Sequence, residues 1–206
     1  MTTLNAQQNQ DTERFDEITV FNHSRKLRKE NKHDEALSTL RNAMRRHWLS
    51  AEGIEKAGRQ IIKHFKTHDV KTQNILVLGQ CTTNWLCNCL TASAFAVGMS
   101  VMATEGQYDN VMQELMAAAS SDVKYDAVVL LPWNTRLLAE GDRDTQQRID
   151  DEITFWQQAW NFVNNQLNTR LIQIGYDYKS PGYQGHHLGG QAGGHINLVR
   201  QVNEAL

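Results

Sequence analysis

The spacing of apolar residues changes character near residue 71. Before that point they recur at helical steps. After it, short continuous apolar runs alternate with helical segments. In the first part, Phe15, Ile18, Val20, Phe21 and Leu27 give a weak helical period. Leu37, Leu40, Ala43, Met44 and Trp48 recur at three- and four-residue steps and predict a helix, with His33-Asp34 as its cap. Ser50 then predicts the N-cap of a helix carrying Ile54, Ala57, Ile61, Ile62 and Phe65. In the second part the strand-length runs are Asn74 to Leu78, Met99 to Thr104, Tyr125 to Leu131 and Thr169 to Gly175. Helices are predicted between them from Thr82 to Val97 and from Asp109 to Ala119. A charged loop, Glu140 to Asp151, leads to a long helix carrying Ile153, Phe155, Trp156, Trp160, Phe162, Val163 and Leu167. A short helix from Ile196 to Leu206 follows the last strand.

Strands that alternate with helices predict right-handed crossovers and a mainly parallel sheet with helices on both faces. The expected fold is therefore α/β, a three-layer α/β/α domain preceded by a helical extension. The run at Val128 to Leu131 suits a central strand covered on both faces. Residues 1–13 are polar and without period, and predict a disordered tail. Residues 14–70 form the extension and 71–206 the α/β domain.

Composition narrows the functional classes. A net charge of -2 gives no electrostatic case for nucleic acid or an anionic membrane. The apolar runs are too short to span a bilayer, and no secretory signal opens the chain. The cysteines number 3, Cys81, Cys87 and Cys89, which argues against a disulfide framework and for a reducing, cytoplasmic setting. Oligomeric state is not legible.

The stretch Asn-Ile-Leu-Val-Leu-Gly-Gln-Cys-Thr-Thr-Asn, residues 74–84, reads as strand, tight turn and helix. That arrangement sets Cys81 at the carboxyl end of a parallel strand, the edge where open α/β sheets bind ligands. A helix N-terminus beside it favours a thiolate. Cys81 thus reads as a nucleophilic elbow or as a small thiol packed under the sheet edge. Two further strand ends carry polar tips: Glu105-Gly106-Gln107 and Trp133-Asn134-Thr135. The series Gly-Gln-Cys, Gly106, Asn134 resembles the SGNH (GDSL-type) hydrolases. In those, a serine follows the first strand, and a glycine N–H and an asparagine build an oxyanion hole. The resemblance implies Cys81 as nucleophile and Gly106 and Asn134 as donors. That family's base lies in an Asp-x-x-His motif. Here His195 has Ala192 three residues before it, so His195, or His187 in the glycine-rich loop, is a base only by general position.

Four stretches together carry a broader resemblance: Leu49-Ser50-Ala51-Glu52 with Ala57-Gly58-Arg59, Leu76 to Thr83, Glu105 to Tyr108, and Asp126 to Leu131. They resemble the N-terminal SGNH-like domain of FkbH-like proteins of polyketide and related pathways, in which a haloacid-dehalogenase (HAD) phosphatase-type domain follows. The resemblance implies glyceryl transfer from 1,3-bisphosphoglycerate, or a related acyl transfer, onto an acyl carrier protein, with no cofactor. The alternative reading is a catalytically silent SGNH-fold domain that docks a carrier protein or a HAD-type phosphatase partner. The HAD half is not in this sequence: its Asp-x-Asp-x-Thr has no match, since Asp142-Arg143-Asp144-Thr145 has the wrong spacing and follows no strand, and reads as a solvated loop. By the resemblance one more strand is expected after residue 206.

Other clusters read as structural. Cys87 and Cys89, two apart on a helix, point about 200° apart and cannot chelate one zinc ion. Trp156 and Trp160, four apart, read as core packing. His186-His187 reads as a solvated turn. The crowd of Arg25, Lys26, Arg28, Lys29, Lys32, Arg41, Arg45 and Arg46 reads either as the solvated side of amphipathic helices or as a dock for an acidic partner.

Overall fold

The computed structural model describes residues 16–64, 71–138, 144–178 and 194–206. The expected tail at 1–13, His186-His187 with the glycine-rich loop around them, and residues 140–143 of the charged loop lie outside these. The chain divides into two compact units. One takes 1–72 with 88–101, and the other takes 73–87 with 102–206.

The first unit is helical. It contains α1 (Glu17–Lys29), α2 (His33–Arg45), α3 (Ala51–His64) and the later part of α4 (Asn84–Ala96). Its core joins Val20, Phe21 and Leu27 of α1, Ala36, Leu40 and Ala43 of α2, Ala57 and Ile61 of α3, and Ala92 and Phe95 of α4. Ser24 is buried in the middle of the α1 stripe and bonds the Ala36 carbonyl at 3.4 Å, so a polar residue interrupts an otherwise regular face. The Ser50 hydroxyl accepts from the Gly53 N–H at 3.0 Å, the cap expected for α3. The expected cap of α2 is different: His33 is its first helical residue and Lys32 the N-cap, without a side-chain bond. α3 and α4 touch closely at Gly58, where a Cβ would stand 1.9 Å from the Asn88 carbonyl oxygen.

The second unit carries the sheet, a four-stranded parallel sheet in the order β2-β1-β3-β4. The strands are β1 (Thr72–Gly79), β2 (Ser100–Glu105), β3 (Ala127–Leu131) and β4 (Arg170–Gln173). β3 is central, with Leu76 opposite Val128 and Leu78 opposite Leu130, and with Val129 opposite Ile172 on its other side. Leu76, Leu78, Val128 and Leu130 share one face. α5 (Val111–Ala119), α7 (Thr145–Phe162) and α8 (His195–Ala205) bury Leu115, Trp156, Ala159, Leu198 and Val202 against it. The alternate residues Val77 and Val129 are also buried, as a strand covered on both faces requires. A short α6 (Asn134–Leu138) follows β3. The fold is the three-layer α/β/α class that the alternation of runs predicts.

The start of α7 departs furthest from the sequence expectation. α7 begins at Thr145, inside the segment expected as a charged loop, and continues into a wider π-turn at Val163–Leu167. Asp144 Oδ1 accepts from the Gln147 N–H at 2.8 Å. A charge run that looks like a solvated loop therefore includes a helix N-cap. Among the described residues no helix is long and apolar enough to cross a membrane, and no group of acidic, histidine or cysteine side chains could hold a metal.

Candidate functional site at the carboxyl edge of the sheet

The order β2-β1-β3 reverses direction between β1 and β3, and ligands of open α/β sheets bind at such a point. Here the loops after three strands are stitched together there. The Gln80 N–H bonds the Leu131 carbonyl at 3.0 Å, and the Asp109 N–H bonds the Gly79 carbonyl at 3.1 Å. Gln80 is buried, and its side chain closes the reversal point: Oε1 accepts from the Trp133 N–H at 2.9 Å, and Nε2 donates to Glu152 Oε1 at 2.7 Å. The Tyr176 hydroxyl also donates to Glu152, and Trp156 Nε1–H donates to that hydroxyl at 2.9 Å. Arg136 Nε lies 3.8 Å from Glu152 Oε2, while its Nη1 donates to Asp109 Oδ1 at 2.9 Å. Burial and the neighbouring Glu152 carboxylate push the Tyr176 phenol far above its ordinary pKa, so it stays a donor.

Cys81 is half-buried beside this network, and burial raises its thiol pKa. α4 starts at Asn84, three residues beyond Cys81, so the thiol does not sit on the first helical turn. No hydrogen bond joins Cys81 Sγ to any described base. Burial, first, and the Glu105 carboxylate, second, push Cys87 up to about 11. Burial likewise raises Cys89.

The other predicted site residues have definite occupations. The Gly106 N–H donates to the Val77 carbonyl at 3.0 Å, continuing the sheet past β2. A Cβ on Gly106 would stand 2.3 Å from Leu78 Cδ2, so packing demands glycine there. Asn134 is buried, and its Nδ2 donates to the Asp177 carbonyl, while its Oδ1 is buried without a partner among the described residues. His195 is the exposed first residue of α8, which packs on α6 and α7. The strand tips thus meet at one edge, and among the described residues no hydrogen bond ties His195 to it.

Sequence reasoning missed Glu152 and Tyr176. The signal for Glu152 exists: it falls in step with Ile149, Trp156 and Ala159, on the buried face of α7. An acid in that register needs a buried partner, and Gln80, 72 residues away, supplies it. The exposed rim of the edge is aromatic. Tyr108 and Trp133, 55% and 39% exposed, meet edge to face at 5.9 Å.

No family model matches the chain, and no curated protein does. A solved structure that resembles it is the N-terminal part of the protein BF1531 from Bacteroides fragilis, containing a phosphatase domain and complexed with Mg. The identity is 15% and the TM-score 0.58, over 76% of this chain and 41% of that one. This chain therefore spans less than half the length of that solved chain, and the likeness is one of fold.

Proposed function

We propose that this chain is a catalytically silent SGNH-fold docking domain of an FkbH-like protein, and that its partner is a HAD-type phosphatase domain. One observation carries the reading: the backbone donor that acyl transfer would recruit at the carboxyl edge is already engaged in the fold, and the Asn134 amide is partly engaged. The Gly106 N–H holds Val77, and the Asn134 amide N–H holds Asp177. Recruiting the Gly106 N–H to an oxyanion breaks an internal bond worth about 1 kcal/mol net, while the Asn134 amide has one of its two N–H groups engaged. The raised Cys81 thiol points the same way, since a nucleophilic cysteine needs thiolate at neutral pH. Where a substrate pocket would open between β1 and β3, Gln80 bridges them. The resemblance in fold to a phosphatase-containing protein supports the choice of partner. The exposed Tyr108–Trp133 pair suits an interface, where aromatic anchors supply much of the binding energy.

A second reading keeps one observation in its favour. Cys81 is partly exposed at the edge where the loops of Gly106 and Asn134 converge. On that reading Cys81 would accept an acyl or glyceryl group, and the acceptor would be an acyl carrier protein. The two readings part in a direct assay. The chain is mixed with a HAD-type phosphatase domain of an FkbH-like protein and, separately, with an acyl carrier protein, and binding is followed by calorimetry. The docking reading predicts saturable binding to the phosphatase domain that weakens at least tenfold in Trp133→Ala. Binding to the carrier alone would overturn the choice of partner.

A further inference from the structure

The helical unit carries an open surface hollow of about 320 Å³ lined by Arg25, Arg28, Lys29, His33 and His64. The first three stand three and four residues apart on α1, hence on one face. His33 opens α2 and His64 closes α3. Among the described residues no carboxylate lines the cavity. Glu30, in the adjoining turn, is paired with Lys32 at 3.0 Å, and Asp34 and Glu35 in the first turn of α2 are exposed and do not line it.

Elsewhere in this unit the cations have work to do. Arg41 stacks 4.2 Å over Phe95, Lys56 4.1 Å over Phe21, and Arg46 5.0 Å over Trp48. Arg59 pairs with Glu55 at 2.7 Å. Arg25, Arg28 and Lys29 have no such partner among the described residues. Arg28 Nε is buried without a hydrogen-bond partner among the described residues, and one unpaired buried N–H is costly until an acceptor arrives. Burial, and then the charges of Arg28, Lys63 and His33, hold the His64 imidazole below its ordinary pKa. Arg28 is half-buried, and Arg25, Lys29, His33 and His64 are exposed around it, so five groups that can carry positive charge rim one open hollow.

From this convergence we infer that the cavity binds a phosphate group carried on a small molecule, a phosphomonoester. Arginine forks match the oxygens of a phosphate in a way that a single carboxylate does not use fully. The hollow has room for a substituent beyond the phosphate. The inference lies in the helical unit and stands apart from the docking reading, which concerns the sheet.

The test follows His64 by NMR of the full chain. Its imidazole is titrated with pH in sodium chloride, then at matched ionic strength with inorganic phosphate or with phenyl phosphate. A bound phosphate beside His64 favours its protonated form, so the midpoint rises by about one pH unit. Phenyl phosphate achieves this at lower concentration than inorganic phosphate. Arg28→Gln and Arg25→Gln, with amide spectra otherwise unchanged, lose the rise. A midpoint that both anions leave in place overturns the inference. So does a rise that survives both substitutions, or a rise with inorganic phosphate that phenyl phosphate cannot produce.

Discussion

Gln80 shows how one side chain decides the chemistry of an edge. Its amide faces both ways, accepting from the Trp133 N–H and donating to Glu152, so the turn that carries Cys81 is held from beneath by a buried network. Glu152 is a buried acid that survives because Gln80, Tyr176 and Arg136 surround it. Tyr176→Phe removes one donor to that carboxylate. It should destabilise the fold by about 1–3 kcal/mol, read from urea unfolding, with little change in the denaturant slope. Cys81 is the second residue-scale case. Burial raises its pKa, so thiolate appears only at higher pH than for a free thiol. In a variant whose other cysteines are serine, alkylation by iodoacetamide at pH 7 should be slower than that of a free cysteine. The rate should keep climbing beyond the pH, about 8.5, where a free thiol is half ionised. A rate above the free thiol would mean an activation that nothing in this arrangement supplies.

At the scale of elements, periodicity decided most of what was legible. The strands were readable because Leu76 to Leu78 and Val128 to Leu131 are apolar without interruption, which a strand buried on both faces requires. α1 was faint because Ser24 stands in its buried stripe, and the reason is a bond to α2 that no local pattern encodes. The start of α7 is not legible, because a capping aspartate and a loop aspartate look alike until the Gln147 N–H reaches one of them. The strand-end tips were predicted by topology, but their occupation was not. Which carbonyl takes the Gly106 N–H is settled by the packing of distant residues. Gly58 gives this scale its sharpest prediction. Helix propensity alone favours Gly58→Ala by about 1 kcal/mol. The Asn88 carbonyl, 1.9 Å from the new Cβ, reverses the sign. We expect a loss of about 1–3 kcal/mol or more in chemical denaturation. Ser50→Ala should cost about 1 kcal/mol through the lost cap of α3.

At the scale of the whole molecule, the chain combines a helical unit with cations gathered around a hollow and an α/β unit with an aromatic rim at its sheet edge. The three-layer class follows from the alternation of apolar runs, and the likeness to part of a phosphatase-containing protein agrees with it. The docking proposal for the sheet edge rests on the Gly106 N–H being held by Val77 and the Asn134 amide being tied to Asp177. The most direct test is intact-protein mass spectrometry of the wild type and Cys81→Ala, each incubated with acyl and glyceryl donors, free and carrier-bound. The account predicts no added mass on either protein with any donor. A mass gain on the wild type that vanishes in Cys81→Ala would establish a covalent intermediate at the elbow and contradict it.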